Sequence, residues 1–182
     1  MKKHPDIYDL IYKVYNGNEG ILDFLIPHLE CVAKLAVKIA KNNPSADSDF
    51  VERAALLHDI GILKTYAPKI KCFGDEPYIR HGVIGKKILE EHGFLREAVV
   101  AMTHVGVGLT AAQIKENNLP LEAIDMIPTT QEEQIVAYAD LFYSKDPKHF
   151  TTPKTVKEVR QAVKKYGDSA TDIFDNWHKK FG

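Results

Sequence analysis

The chain has 182 residues, 24 of them basic and 25 acidic, a net charge of −1 and a 45% hydrophobic content, so it is long enough to bury a core without staples. This charge balance gives no case for a nucleic-acid polymer or a membrane surface as partner, and no apolar run has the length of a membrane span. The two cysteines, Cys31 and Cys72, lack CxxC spacing and suggest a reducing cytoplasm; Cys31 reads as a small core residue and Cys72 as a loop thiol.

Alternation of period two is scarce and helical periodicity is common, so the chain reads as all-α, with at least six helices and no substantial sheet. Asp6 and Asp9 come soon after Met1-Lys2-Lys3 and argue against a signal peptide. Residues 5–15 form a short amphipathic helix through Ile7, Leu10, Ile11 and Val14, broken by Gly17 and Gly20. Ile21 to Ile26 make a further short helical stretch, and Pro27 suits the first position of a longer helix to Asn42. There His28, Val32, Leu35, Ala36 and Ile39 share one face, which turns His28 inward. Ser48 or Asp49 can cap the next helix.

That helix carries Ala54-Ala55-Leu56-Leu57-His58-Asp59-Ile60-Gly61. Counting back from His58, residues Ala55, Ala54 and Val51 lie on the same face, so His58 sits where a core residue belongs. Gly61 can end the helix by adopting the left-handed conformation. A buried carboxylate beside a buried imidazole is costly without partners. Two answers are open: a metal ion, or a His-Asp pair bonded to itself and to backbone at a helix end.

Residues 61–79, with Pro68, Gly74 and Pro77, form a long irregular loop of the kind that is usually functional or mobile. The next helix runs from Arg80-His81 to Gly93, with His81 on the side of Ile84, Gly85 and Ile88. A helix over about 95–105 brings Glu97, Val100, Ala101 and His104 together. Thr110 caps a short helix to Asn117, and Thr130-Gln131-Glu132-Glu133 is a capping box opening a helix to about Ser144. That helix sets Glu133, Val136, Ala137 and Asp140 on one side. Thr152-Pro153 starts a helix to Gly167, and Asp168 or Ser169 a last one to about Lys180.

His28, His58, Asp59, His81, His104 and Asp140 thus each lie on or beside the apolar side of a predicted helix. Separately, each would need its own buried partner; one shared metal site satisfies all of them. Imidazoles and carboxylates suit first-row divalent ions. His4, His92, His149 and His178 have no such company and read as surface residues. Phe24, Phe73, Tyr78 and Tyr143 read as aromatic core, with a base pocket as the alternative.

With these spacings the sequence resembles the HD-domain metal-dependent phosphohydrolases, in the branch named for His-Asp-Ile-Gly, over about residues 20–145. His28 in Pro-His-Leu-Glu-Cys-Val-Ala resembles the first histidine, His58-Asp59 the doublet, and Asp140 in Ala-Tyr-Ala-Asp-Leu the closing aspartate. His81 in Arg-His-Gly-Val-Ile-Gly and His104 in Met-Thr-His-Val-Gly resemble the additional histidines of binuclear members. The resemblance implies an HD-domain-like helical bundle. It implies a first divalent transition metal on His28, His58, Asp59 and Asp140, and a second on Asp59, His81 and His104, with Fe, Mn, Zn, Co or Ni as candidates. Asp59 and His58 would then be the catalytic centre, and a metal-activated water the nucleophile. The lysine and Gly-Tyr-Pro signature of the cyclic-dinucleotide branch are absent; Ile62-Leu63-Lys64 comes after the motif instead.

The expectation is a single domain over residues 1–182, an HD core with the helix at 5–15 and the helices at 153–180 packed on it. Its expected activity is hydrolysis of a phosphoester or phosphoanhydride in a nucleotide or small phosphorylated metabolite. Arg80 and Lys64 are candidate phosphate contacts, against surface salt bridging for Arg80 and a solvated loop side chain for Lys64. Glu133 can orient a ligating imidazole or serve only its cap. The rivals are a di-iron HD-domain oxygenase and a non-catalytic metal-binding sensor or scaffold.

Overall fold

A computed structural model describes residues 3–145 and 150–182. Among them are nine α-helices: α1 Pro5–Val14, α2 Glu19–Lys41, α3 Ser48–Leu57, α4 His81–Glu91, α5 Leu95–Thr103, α6 Ala111–Glu116, α7 Gln131–Leu141, α8 Val156–Lys164 and α9 Asp168–Phe181. The strands among these residues are the two-residue β1, Tyr66–Ala67, and β2, Cys72–Phe73, an antiparallel pair with Tyr66 opposite Phe73. The chain is all-α.

The long α2 packs on α3 and α7, α3 also reaches α5, and α4 lies against α5. At the ends of the chain, α1 packs on α3, and α9 packs on both α8 and α7. One apolar cluster runs from Ile7 of α1 to Phe181 of α9.

Local chemistry sets the helix starts. Thr110 caps α6 in a capping box with Gln113, and Thr130 accepts from the Glu133 amide at the head of α7. The cap of α3 is Asp47, one residue ahead of the predicted Ser48 or Asp49; its carboxylate accepts from the Phe50 amide at 3.0 Å. Likewise α8 starts later than predicted, capped by Thr155 in a capping box with Glu158.

Pro27 does not open a helix: α2 runs through it. The ring removes one backbone donor and normally breaks a helix, but Ile21, Leu22, Leu25, Leu29 and Val32 are all buried along α2. Their shared packing outweighs one missing bond. The two cysteines are reversed from expectation: Cys72 is fully buried on β2, and Cys31 is partly exposed. His4 is also buried, with its Nε2 3.5 Å from Glu52, and His178 Nδ1 lies 2.7 Å from the Tyr138 hydroxyl oxygen. His92 is exposed, while His149 lies outside the described residues.

The stretch 61–79 is organised by three 3-10 turns and the β1–β2 pair. The Tyr66 amide donates to the Glu76 carbonyl at 2.8 Å and the Gly74 amide to the Thr65 carbonyl at 3.0 Å. These bonds deliver the chain to the start of α4, where His81 stands.

Candidate metal centre

Five helices each present one part of a buried cluster. His28 projects from α2, His58 caps the end of α3 with Asp59 next to it, His81 opens α4, His104 caps the end of α5, and Asp140 lies near the end of α7. His28, His58 and Asp59 are 0% exposed, His81 is 4% and His104 is 2% exposed. Helix ends suit this work, because the chain turning away leaves space for a side chain pointing along the axis.

The two oxygens of Asp59 face different partners. Oδ2 lies 3.4 Å from His28 Nε2 and 3.2 Å from His58 Nε2, and Asp140 Oδ1 lies 3.2 and 3.4 Å from the same two nitrogens. Oδ1 lies 3.5 Å from His81 Nε2 and 3.4 Å from His104 Nε2. The donors form two groups, His28-His58-Asp59-Asp140 and Asp59-His81-His104, with the atoms of each group within 4.8 Å of one another.

The backbone orients the imidazoles. Nδ1 of His58 lies 2.7 Å from the Ala55 carbonyl, that of His81 2.7 Å from Tyr78 and that of His104 2.8 Å from Ala101. A carbonyl only accepts, so each Nδ1 carries the hydrogen and, in the neutral ring, each Nε2 holds a lone pair. The Nε2 atoms of His81 and His104 are 3.2 Å apart. Two facing lone pairs repel unless a cation lies close to both.

The protein alone leaves these groups under-satisfied. His28 Nδ1 and Nε2, His58 Nε2, Asp59 Oδ1 and Asp140 Oδ1 are buried without a hydrogen bond. Each such group costs about 1–3 kcal/mol. Neutral imidazoles and carboxylates without a thiolate fit a borderline or hard divalent ion. The donor set therefore fits the metal reading better than a self-bonded His-Asp pair.

Lys145, which sequence reasoning did not single out, is the cation of the site. Its Nζ lies 2.6 Å from Asp59 Oδ2 and 3.6 Å from Asp140 Oδ1. Burial works against the charge of both carboxylates, but Lys145 and the surrounding histidines together outweigh it and hold each well below the usual range. Burial likewise lowers His58, yet the Asp59 and Asp140 carboxylates overcome it and raise the ring to about 10, so a cation at this Nε2 would have to displace its proton. His81 goes the other way, lowered to about 4 chiefly by burial, which keeps it neutral. The region is built to hold positive charge between two carboxylates.

Gly61 has φ −82°, so it does not end α3 in a left-handed conformation. Its role is close approach: a Cβ there would collide with the His81 carbonyl and the Gly85 amide of α4. The buried Tyr15 hydroxyl, just after α1, donates to the Ile60 carbonyl at 3.1 Å and ties the same turn to the N-terminal helix.

Among the other predicted contacts, Arg80 and Glu133 have partners of their own. Arg80 is 2.7 Å from Glu76 and donates to the Pro120 carbonyl at 2.8 Å, and Lys64 is exposed on its 3-10 turn. Glu133 accepts from the Thr129 amide at 2.7 Å and the Thr130 hydroxyl at 3.0 Å, so it holds the head of α7 and no imidazole. Of the four aromatics, Tyr143 lines a cavity of about 760 Å³ beside the site, whereas the Tyr78 ring lies tilted 4.8 Å from His81, the Phe24 ring lies tilted 4.8 Å from Phe150, and Phe73 is exposed. The cavity opens on Asp140 and Lys145; Val105, Leu109 and Leu141 form part of its wall, and Val159 and Val163 of α8 another part.

The HD domain sequence pattern matches residues 25–144. The uncharacterized protein MJ0778 of Methanocaldococcus jannaschii is 35% identical over 124 residues, 68% of this chain and 66% of that protein. A tRNA (cytidine(56)-2'-O)-methyltransferase of Thermoplasma volcanium is 36% identical over 140 residues, 76% of this chain but 36% of the relative. Its counterpart in Picrophilus torridus is 35% identical over 130 residues, 71% of this chain and 34% of the relative. The chain thus spans about a third of the length of those methyltransferases. Among solved structures, the HD domain of the phosphodiesterase PgpH from L. monocytogenes superposes with a TM-score of 0.55, 19% identity and coverage of 92% of this chain and 94% of that one, a likeness of fold. With its histidines and aspartates drawn to one buried centre, and the pattern matched over most of the chain, this protein belongs to the HD domain family.

Proposed function

We propose that the protein is a metal-dependent phosphohydrolase that cleaves a phosphoester or phosphoanhydride of a nucleotide or small phosphorylated metabolite. The observation that carries this reading is the convergence of unsatisfied, buried imidazole and carboxylate atoms in two groups that share Asp59. Divalent ions, when bound, supply Lewis acidity toward a phosphoryl oxygen and a water nucleophile at neutral pH. His28, His58, Asp59 and Asp140 hold one ion, and Asp59, His81 and His104 the other.

The remaining work is positioning. The Ala55, Tyr78 and Ala101 carbonyls keep the Nε2 lone pairs of His58, His81 and His104 turned to the centre. The adjoining cavity, about 760 Å³, has a size common for small-molecule sites. Its lysines, Lys145, Lys154 and Lys165, supply positive charge toward a phosphorylated ligand, and its apolar wall excludes water from the organic part. Domain organisation fits the same reading: residues 1–182 act as one unit, with α8 and α9 completing the pocket that the HD core opens.

The test is metal analysis of untagged protein together with a phosphatase screen over nucleotides and phosphorylated metabolites. Turnover lost on chelation and restored by a divalent metal is the expected result; full turnover after chelation contradicts it. The likeness to two tRNA methyltransferases favours a second reading, in which the phosphate is carried on tRNA or released from it. Short RNA in the same screen separates the two.

A further inference from the structure

Lys145 stands a short turn beyond α7, closed by the Tyr143 amide donating to the Asp140 carbonyl at 3.0 Å. Its side chain folds back into the centre and is 17% exposed. The two oxygens its ammonium approaches, Asp59 Oδ2 and Asp140 Oδ1, are the same two that face His28 and His58. An ion held by those four residues would compete with the ammonium for Asp59 Oδ2 and for the space beside Asp140 Oδ1. Lys145 also lines the 760 Å³ cavity, beside Tyr143 and Ser144, so its flexible stem has space on the other side.

Charge counting says when it moves. Asp59 and Asp140 bring two negative charges, which one ammonium half balances. One divalent ion balances them fully, and Lys145 then becomes a surplus cation beside a metal. A phosphate dianion arriving from the cavity then offers that ammonium a new counter-charge.

We propose that Lys145 is a tethered cation with two alternating partners. In the metal-free protein it neutralises Asp59 and Asp140; in the metal-loaded protein it turns to the cavity and binds the phosphoryl group of the ligand. This rests on the metal part of the proposed function and adds a coupling: metal loading frees the side chain that binds phosphate. The other cavity lysines do not share this position, since Lys154 Nζ donates to the Leu141 carbonyl at 3.4 Å and Lys165 is exposed.

The experiment compares wild type, Lys145→Met and Lys145→Arg in two calorimetric titrations: Mn²⁺ into metal-free protein, and inorganic phosphate into metal-loaded protein. Lys145→Met should bind Mn²⁺ about tenfold more tightly, because no ammonium has to leave, and phosphate at least about tenfold more weakly. Lys145→Arg should keep phosphate affinity within a few-fold of wild type. Circular dichroism of the metal-free Met variant checks its fold before either titration. Unchanged Mn²⁺ affinity, or unchanged phosphate affinity, in Lys145→Met overturns the proposal while leaving the metal site standing. A wild type that binds no Mn²⁺ overturns both.

Discussion

Among the described residues, Asp59 is the one side chain that belongs to both donor groups, through a different oxygen for each. Asp59→Ala should therefore remove both ions together and lower hydrolysis beyond the roughly 10–100-fold typical of outer-sphere partners. Metal analysis beside a rate measurement checks this; a variant that keeps one ion per chain contradicts the bridging role. Much of this site is legible as residues, because an inward histidine on an apolar helix face is an anomaly that periodicity exposes. His28, His58, His81 and His104 all carry that signal. Lys145 carries none: it stands in a polar linker beyond Asp140, and the reach of a four-methylene stem leaves no periodic trace. The Arg80 and Lys64 readings rest on adjacency to ligands in sequence, and Arg80 has Glu76 as its partner while Lys64 is exposed.

Between elements, the approach of the His-Asp-Ile-Gly turn to α4 depends on a missing side chain. Gly61→Ala would press a methyl group into the His81–Gly85 backbone. Such overpacking costs about 1–3 kcal/mol, and here it should also shift His81 and weaken the second ion more than the first. Denaturant unfolding and metal titration measure the two effects. Sequence reasoning finds this glycine but assigns it the common role, helix termination, since close approach depends on a partner helix far along the chain. Pro27 misleads for a related reason: the rule for proline is local, and the packing that carries α2 through it is not. At the head of α3, Asp47→Ala should cost about 1 kcal/mol at neutral pH. Its carboxyl is lowered in the folded protein, mainly by the Phe50 amide. That stabilisation is present above the unfolded carboxyl value, near about 3.9, and is lost as pH falls through the lower folded value. Urea melts of the pair should differ at neutral pH and converge in strong acid.

Across the whole molecule, the ends of the chain support a centre they do not supply with donors. Tyr15 ties down the motif turn from the N-terminal side. From the other end, α9 seals α7 through Phe174, 0% exposed and stacked 5.9 Å from Tyr138. Phe174→Ala should cost about 3–5 kcal/mol while the folded variant keeps its full metal content; a loss under about 1 kcal/mol would mean that α9 is only appended. The all-α class is legible because helical periodicity runs through nearly every segment. The cavity between residues 105–119 and α8 is not, since it arises from how distant helices meet. Metal content per chain, measured in wild type and in His81→Ala with His104→Ala, tests whether the centre holds two ions. Two ions falling towards one is the expected result; a wild type that saturates at one ion, unchanged in the double variant, contradicts it.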